Sequence, residues 1–166
     1  MMSIWLLWLL LIAAYDFHHR RVPNWLVLLG ATLGMAALAL AAQPFGISWS
    51  EAALGAAAGF GVLVIFYTTG VMGAGDVKFA GALGLWVGLQ TLLPIWIGAS
   101  LLAGGHAVLW MTLRRWPYFP RLVKAFSGAS SLEHDGTKTR KRHIPFAAYL
   151  ALASMGWLVG RNHGLF

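Results

Sequence analysis

Two of the five acidic residues in this 166-residue chain, Asp16 and Asp76, stand at the ends of long apolar runs. A charge placed near a bilayer core costs about 2.5 to 3.5 kcal/mol on insertion scales, so an acid in such a place is a candidate functional group. A pair of them has a definite chemistry. Two carboxyl groups brought close together share one proton, because like charges at short range resist double ionisation. The ionised partner deprotonates a water, and the protonated partner polarises and protonates a scissile carbonyl. Such hydrolysis requires no metal, no other cofactor and no covalent intermediate. Asp76 lies in VMGAGDVK, residues 71–78, where Gly73 and Gly75 lack a Cβ and so permit positive φ, a tight helix entry and close approach of a substrate backbone. Taken by itself Asp76 has a plainer reading, as the cap of the helix that follows. A partner at the same depth decides for chemistry.

The elements that must position this pair are membrane-spanning. The chain is 59% hydrophobic and 10% charged with nine Trp, a composition outside the range of soluble domains and typical of a bilayer protein. It contains no cysteine, which excludes disulfides, thiol nucleophiles and zinc ribbons. Six apolar runs, at 3–19, 24–42, 51–70, 77–93, 94–113 and 144–160, each approach the ~20 residues a helix needs to cross the hydrocarbon. In lipid the backbone must satisfy its own hydrogen bonds, so the fold class is all-α, a bundle of about six transmembrane helices in a single domain spanning 1–166. The turn between the fourth and fifth runs is expected at 92–94, where Pro94 can open a helix at little cost.

Charge orients the bundle. The net charge of +7 could suggest nucleic acid, but the basic residues flank apolar spans instead of forming a reading surface. Ten of the twelve Lys and Arg are Arg20, Arg21, Arg114, Arg115, Arg121, Lys124, Lys138, Arg140, Lys141 and Arg142, all in two loops on one side. That side is therefore expected to be cytoplasmic, with both termini outside. One crossing precedes Asp16 and three precede Asp76, so both acids fall on the cytoplasmic side, whereas Glu51 falls at the outer start of the third run. The N-terminal run reads as a span rather than a signal peptide, since no basic residue precedes it. Segment 114–143 reads as a basic cytoplasmic loop that sets topology and meets anionic lipid.

At this point the residues resemble a known family. GAGDVK at 73–78 is similar to the Gly-x-Gly-Asp-x-Lys motif of the type IV prepilin peptidases, membrane aspartic proteases. DFHHRRVPN at 16–24 resembles that family's first-aspartate motif, an Asp followed after five residues by Ile/Val-Pro-Asn. IPF at 144–146 resembles its last-helix entry, with Ala147 and Ala148 in place of the Gly and Pro often found there. The resemblance implies cleavage of a short basic leader from type IV prepilins or pseudopilins at the cytoplasmic face of the inner membrane. It implies catalytic roles for Asp16 and Asp76, and substrate-binding or site-shaping roles for Gly73, Gly75, Lys78, Pro23 and Asn24. It is to the short, peptidase-only members that the chain is most similar, so methyl transfer is not expected. The partners implied are the prepilin and the lipid bilayer, with no nucleic acid; the oligomeric state is left open.

Other features have plainer readings. Lys78, two residues from Asp76, sits on another helix face and either snorkels to the interface or meets a pilin carbonyl. His18 and His19 point about 100° apart on a helix, which suits interfacial solvation better than a metal. His106, inside the fifth run, reads as packing or a helix-to-helix hydrogen bond. Ser100 lacks a nucleophile-elbow context. Two alternatives use paired acids differently. A proton-coupled transporter distributes acids through the membrane depth, and a presenilin or signal-peptide-peptidase-like protease, which shares Tyr-Asp and Gly-x-Gly-Asp, places them on consecutive helices. A non-catalytic scaffold has no use for the pair.

Overall fold

Each apolar run forms helix, as a backbone removed from water must. The computed structural model describes residues 1–19, 21–70, 72–115 and 146–163. These form α1 (Met2–His19), α2 (Asn24–Ala39), α3 (Trp49–Thr68), α4 (Ala74–Arg115) and α5 (Phe146–Asn162), with no strand among the described residues. Arg20, Val71 and most of the expected basic loop, residues 116–143, lie outside the described residues. Three helices are long and apolar enough to cross a membrane: Met2–His19, Trp49–Thr68 and Ala74–Thr112; Asn24–Ala39 and Phe146–Arg161 are shorter apolar helices. The helices are apolar on both faces. Leu28 is 63% and Leu101 71% exposed while Leu26 and Leu92 are buried, the pattern of helices whose outer face meets lipid.

Local chemistry sets the ends. Ser48 caps α3 through a reciprocal box, its Oγ accepting from Glu51 N at 3.3 Å while Ser48 N donates to Glu51 Oε2 at 2.7 Å. The second helix ends at Ala39, three residues before the end of its apolar run. There Ala41 adopts φ 50°, Ala42 N donates to Ala37 O at 2.9 Å and Ala41 N to Leu38 O at 3.2 Å, a Schellman closure with alanine in the place glycine usually takes.

The largest departure from expectation is the turn in α4. The break falls at Gly88 (φ 71°, ψ 173°), not at 92–94, and Pro94 lies inside helix. Gly88 adopts a positive φ that a side chain resists, whereas Pro94, six residues on, is carried inside the second arm at the cost of the bond its missing N–H would make. The break reverses the chain. Asp76 accepts from Ala147 N, and the His106 ring lies 5.8 Å from that of Tyr149, so both ends of the arm pair meet the first turn of α5. A straight helix would set residues 76 and 106 about 45 Å apart. The carbonyls left open by the break are met by Gln43, whose Nε2 donates to Leu85 O and Trp86 O, each at 3.3 Å. Gln43→Met, which keeps the length and removes the donor, should lower unfolding free energy by about 1 to 2 kcal/mol in detergent. An unchanged melting midpoint would show that water satisfies those carbonyls instead.

Two tryptophans fix α2 between α1 and the first arm of α4. Trp8 Nε1 donates to Leu26 O and Trp86 Nε1 to Gly30 O, both at 2.9 Å, and the two indoles stack at 6.4 Å. Gly30 has no Cβ because Trp8's indole occupies its place. Between α3 and α4 the backbones touch: a Cβ on Gly55 would collide with Gly84 O, one on Gly84 with Gly55 O, and one on Gly59 with Ala80 O. Small residues that let backbones approach are the usual means of helix association in lipid.

Candidate active site

Asp16 continues the buried stripe of α1. Trp5, Trp8, Leu9, Ile12, Ala13 and Asp16 recur at spacings of one face of a helix, and Asp16 is only 3% exposed. A carboxyl group in that line faces the protein rather than lipid. Its Oδ2 accepts a hydrogen bond from Ala148 N at 2.9 Å.

Asp76 arrives from α4. It is 7% exposed and is the third residue of the helix. Its Oδ2 accepts from Gly73 N at 3.3 Å, the arrangement by which a third-position acid caps the residue before a helix. Its Oδ1 accepts from Ala147 N at 3.0 Å. The cap and the site are thus served by different oxygens of one carboxylate, and the two readings of Asp76 do not compete.

The third wall is the start of α5. The first N–H groups of a helix have no partner within it and carry the positive end of its dipole, which suits carboxylates. Ala147 and Ala148 donate to Asp76 and Asp16 in turn. Consecutive backbone nitrogens are joined by three bonds and lie no more than about 4 Å apart. The two carboxyl groups, from helices sixty residues apart in sequence, are therefore held on neighbouring anchors. Aromatic rings brace this junction: Phe17, beside Asp16, meets Tyr149 at 6.0 Å edge-on, and Tyr149 meets His106. The His106 ring thus packs from α4 against α5.

The glycines act by closeness and not by dihedral angle. Positive φ occurs at Gly46, Gly70 and Gly88 among the described glycines, not at Gly73 or Gly75. A Cβ on Gly73 would stand 3.3 Å from Asp76 Oδ2, crowding the carboxylate. A Cβ on Gly75 would stand 3.3 Å from both Cβ and N of Val22, so this glycine lets the first turn of α4 lie against the α1–α2 connection. Pro23 closes that connection as the N-cap of α2 (φ −71°, ψ 141°), its carbonyl accepting from Leu26 N at 3.1 Å. Asn24 opens the helix, and its Oδ1 accepts from Lys78 Nζ at 3.0 Å, both residues being exposed. The structure thus joins Lys78 and Asn24, which the sequence marked separately. His18 and His19 are exposed, with His19 stacked on Tyr15 at 4.3 Å.

Sequence reasoning marked Asp16, Asp76, Gly73, Gly75, Lys78, Pro23 and Asn24, and the structure gathers them where α1, α2 and α4 meet. It missed Ala147 and Ala148 as donors. No residue type signals a backbone N–H, and only the position of a helix start could have revealed them.

Known proteins share this sequence pattern. The profile of the type IV leader peptidase family matches residues 3–108, which include both aspartates. The chain is 30% identical over 162 residues to a prepilin leader peptidase/N-methyltransferase of Xanthomonas campestris pv. campestris, covering 91% of this chain and 46% of that protein. It is 37% identical over 114 residues to the Escherichia coli K12 protein of the same name (64% of this chain, 49% of that one). For the Bacillus subtilis 168 protein, again of that name, identity is 27% over 149 residues (89% and 50%). The chain spans about half the length of these relatives. No solved structure matches it. With the family profile covering more than half of its length, this chain belongs to the type IV leader peptidase family.

Proposed function

We propose that this chain is a membrane-embedded aspartic endopeptidase that removes the basic leader of type IV prepilin-like proteins at the cytoplasmic face of the inner membrane. The observation that carries the reading is the convergence of two buried carboxyl groups, from α1 and α4, on adjacent N–H groups of α5. Family membership supplies the substrate class. In this reading one carboxylate takes a proton from water, the other gives its proton to the scissile carbonyl, and the pair then exchanges roles as the amine leaves. The named relatives combine leader cleavage with N-methyl transfer; only the first is carried over, since hydrolysis is what a carboxyl pair can do. Six crossings with both termini outside suit the reversal at Gly88, which makes the two arms of α4 separate passes, and the concentration of Lys and Arg in two loops.

Co-expression with candidate prepilins, read by the mass of the pilin product, tests the proposal. Loss of the leader at the edge of the pilin's hydrophobic helix is expected. A cut within that helix, or no cut in any prepilin, would overturn it.

The Lys78–Asn24 contact has a small predicted weight. Both side chains are exposed and exchange this hydrogen bond with water at little cost. Lys78→Met should slow leader removal less than about tenfold, and adding Asn24→Ala should slow it little further, because the shared contact is already gone. Multiplicative losses would show that the two residues act independently on the substrate.

A further inference from the structure

We propose that the second arm of α4, residues 89–115, is a lateral gate hinged at Gly88, and that the apolar helix of a prepilin reaches the carboxyl pair from the bilayer when this arm tilts away from α5. The inference rests on the peptidase reading above. Asp16 is 3% and Asp76 7% exposed, so a substrate peptide bond has no room beside them until some element moves. The other elements are tied. Trp8 and Trp86 hold α2 to α1 and to the first arm of α4 through bonds of 2.9 Å, and α3 meets that arm backbone to backbone at Gly55 and Gly84. In the first arm residues 79–84 are buried without exception. The second arm is attached more thinly. Leu92, Ile95, Ala99 and Ala103 form one buried stripe, while Ile97, Leu101, Val108 and Met111 are each more than half exposed.

The root of this arm can bend. Gly88 carries the positive φ of the reversal, a cleft of about 160 Å³ lies beside it between Ile47, Leu54, Val87 and Leu89, and Pro94 gives no bond to the carbonyl four residues before it. Empty space at a joint permits movement that close packing resists. A hinge at this end has leverage at the other. His106 lies about 27 Å along the helix from Gly88, so a rotation of about 20° moves it about 9 Å, the spacing of two packed helices. His106 is also where the seam closes: its ring lies 5.8 Å from that of Tyr149, in the turn of α5 that meets both carboxyl groups, and Tyr149 meets Phe17 of α1 at 6.0 Å. Beside it, a Cβ on Gly104 or Gly105 would meet nothing within 4 Å, so a helix arriving from lipid can lie close to this stretch. The occupant is an apolar helix because the scissile bond of a prepilin stands at the edge of one, and a bond so placed is presented from within the bilayer.

A reversible lock tests the gate. A Cβ on Gly98 would stand 3.4 Å from that of Ala153 on α5, close to the roughly 3.5 to 4.5 Å of a disulfide, and the chain has no cysteine of its own to compete. Detergent-purified Gly98→Cys/Ala153→Cys is assayed on a prepilin before oxidation, after it, and after reduction. The reduced pair should cleave within about threefold of wild type, the oxidised pair at least about 20-fold more slowly, and reduction should restore the rate. Wild-type cleavage by the fully oxidised pair would overturn the gate and point to entry from the cytoplasmic side, while leaving the peptidase reading intact. If the reduced pair is itself inactive, a distance decides. Spin labels attached through Gly61→Cys on α3 and Gly104→Cys on the second arm, two positions where a Cβ meets nothing within 4 Å, are placed in Asp76→Asn enzyme so that the prepilin stays uncut. Added prepilin should change the distance between the labels by about 5 Å or more, as a tilt at Gly88 requires. An unchanged distance overturns the gate. Absence of cleavage by wild type overturns the peptidase reading and this inference with it.

Discussion

Asp16→Asn and Asp76→Asn should each reduce leader removal by at least about 10³-fold, with the folded protein recovered in wild-type amount. General acid–base catalysis by one group contributes about 10²- to 10⁴-fold, and in a shared-proton pair each member serves in both directions. An amide can neither take the proton of water nor give one to a carbonyl. It does keep the carboxyl group's shape and one accepting oxygen, so the bond from Ala148 N to residue 16 can persist, while at residue 76, where the two oxygens accept from Ala147 N and Gly73 N, the amide keeps only one of the two. Little loss of stability is expected at 16 and about 1 kcal/mol at 76, and melting midpoints in that range would separate chemistry from folding. The double variant should be no slower than either single one, because groups that act as a unit fail as a unit. Cleavage that survives either substitution within tenfold would remove the two-aspartate mechanism. A transporter would behave otherwise: its acid variants would change proton flux and leave prepilins untouched in wild type as well.

Much of this site is legible in the sequence because its chemistry is carried by side chains in helical register. Asp16 extends the stripe Trp5, Trp8, Leu9, Ile12, Ala13, so its burial against protein is predictable from spacing alone. Crossing parity brings Asp76 to the same end without any contact being known. Where reading fails, the missing information lies in the backbone. The close of α2 at Ala39 depends on Ala41 in a left-handed conformation, and alanine does not announce one. The reversal of α4 belongs to Gly88, one of twenty glycines, while the more visible Pro94 turns out to be helical. A third gap was avoidable: Ser48 and Glu51 have the spacing of a capping box, which places the start of α3 before residue 51. For Gly73 and Gly75 the sequence suggests positive φ, whereas the structure shows close approach instead, since whether a glycine serves dihedral freedom or close approach depends on its neighbours in space.

Gly84→Val should be the most damaging substitution away from the carboxyl groups, lowering stability by about 3 kcal/mol and leader removal with it. Helices in lipid gain no hydrophobic free energy by associating, so close backbone contact carries much of their attraction. Gly55 and Gly84 touch backbone to backbone, and a Cβ at either collides with the other's carbonyl oxygen. A carbonyl in a helix cannot swing aside as a flexible side chain can. The helices must instead separate, and the loss extends to Gly59 against Ala80, one turn nearer the site. The first arm of α4 carries Asp76, so a displaced arm draws one carboxyl group away from its anchor on α5. Gly84→Ala should lie between wild type and valine. Gly104→Ala is the control, because nothing stands within 4 Å of a Cβ built there, and alanine should match or slightly raise the wild-type midpoint. Melting midpoints and cleavage rates measured on the same detergent preparations test the coupling. If Gly84→Val melts with wild type, the α3–α4 contact is not what holds this arm; if it melts early yet cleaves at the wild-type rate, Asp76 is positioned by α5 without help from α3.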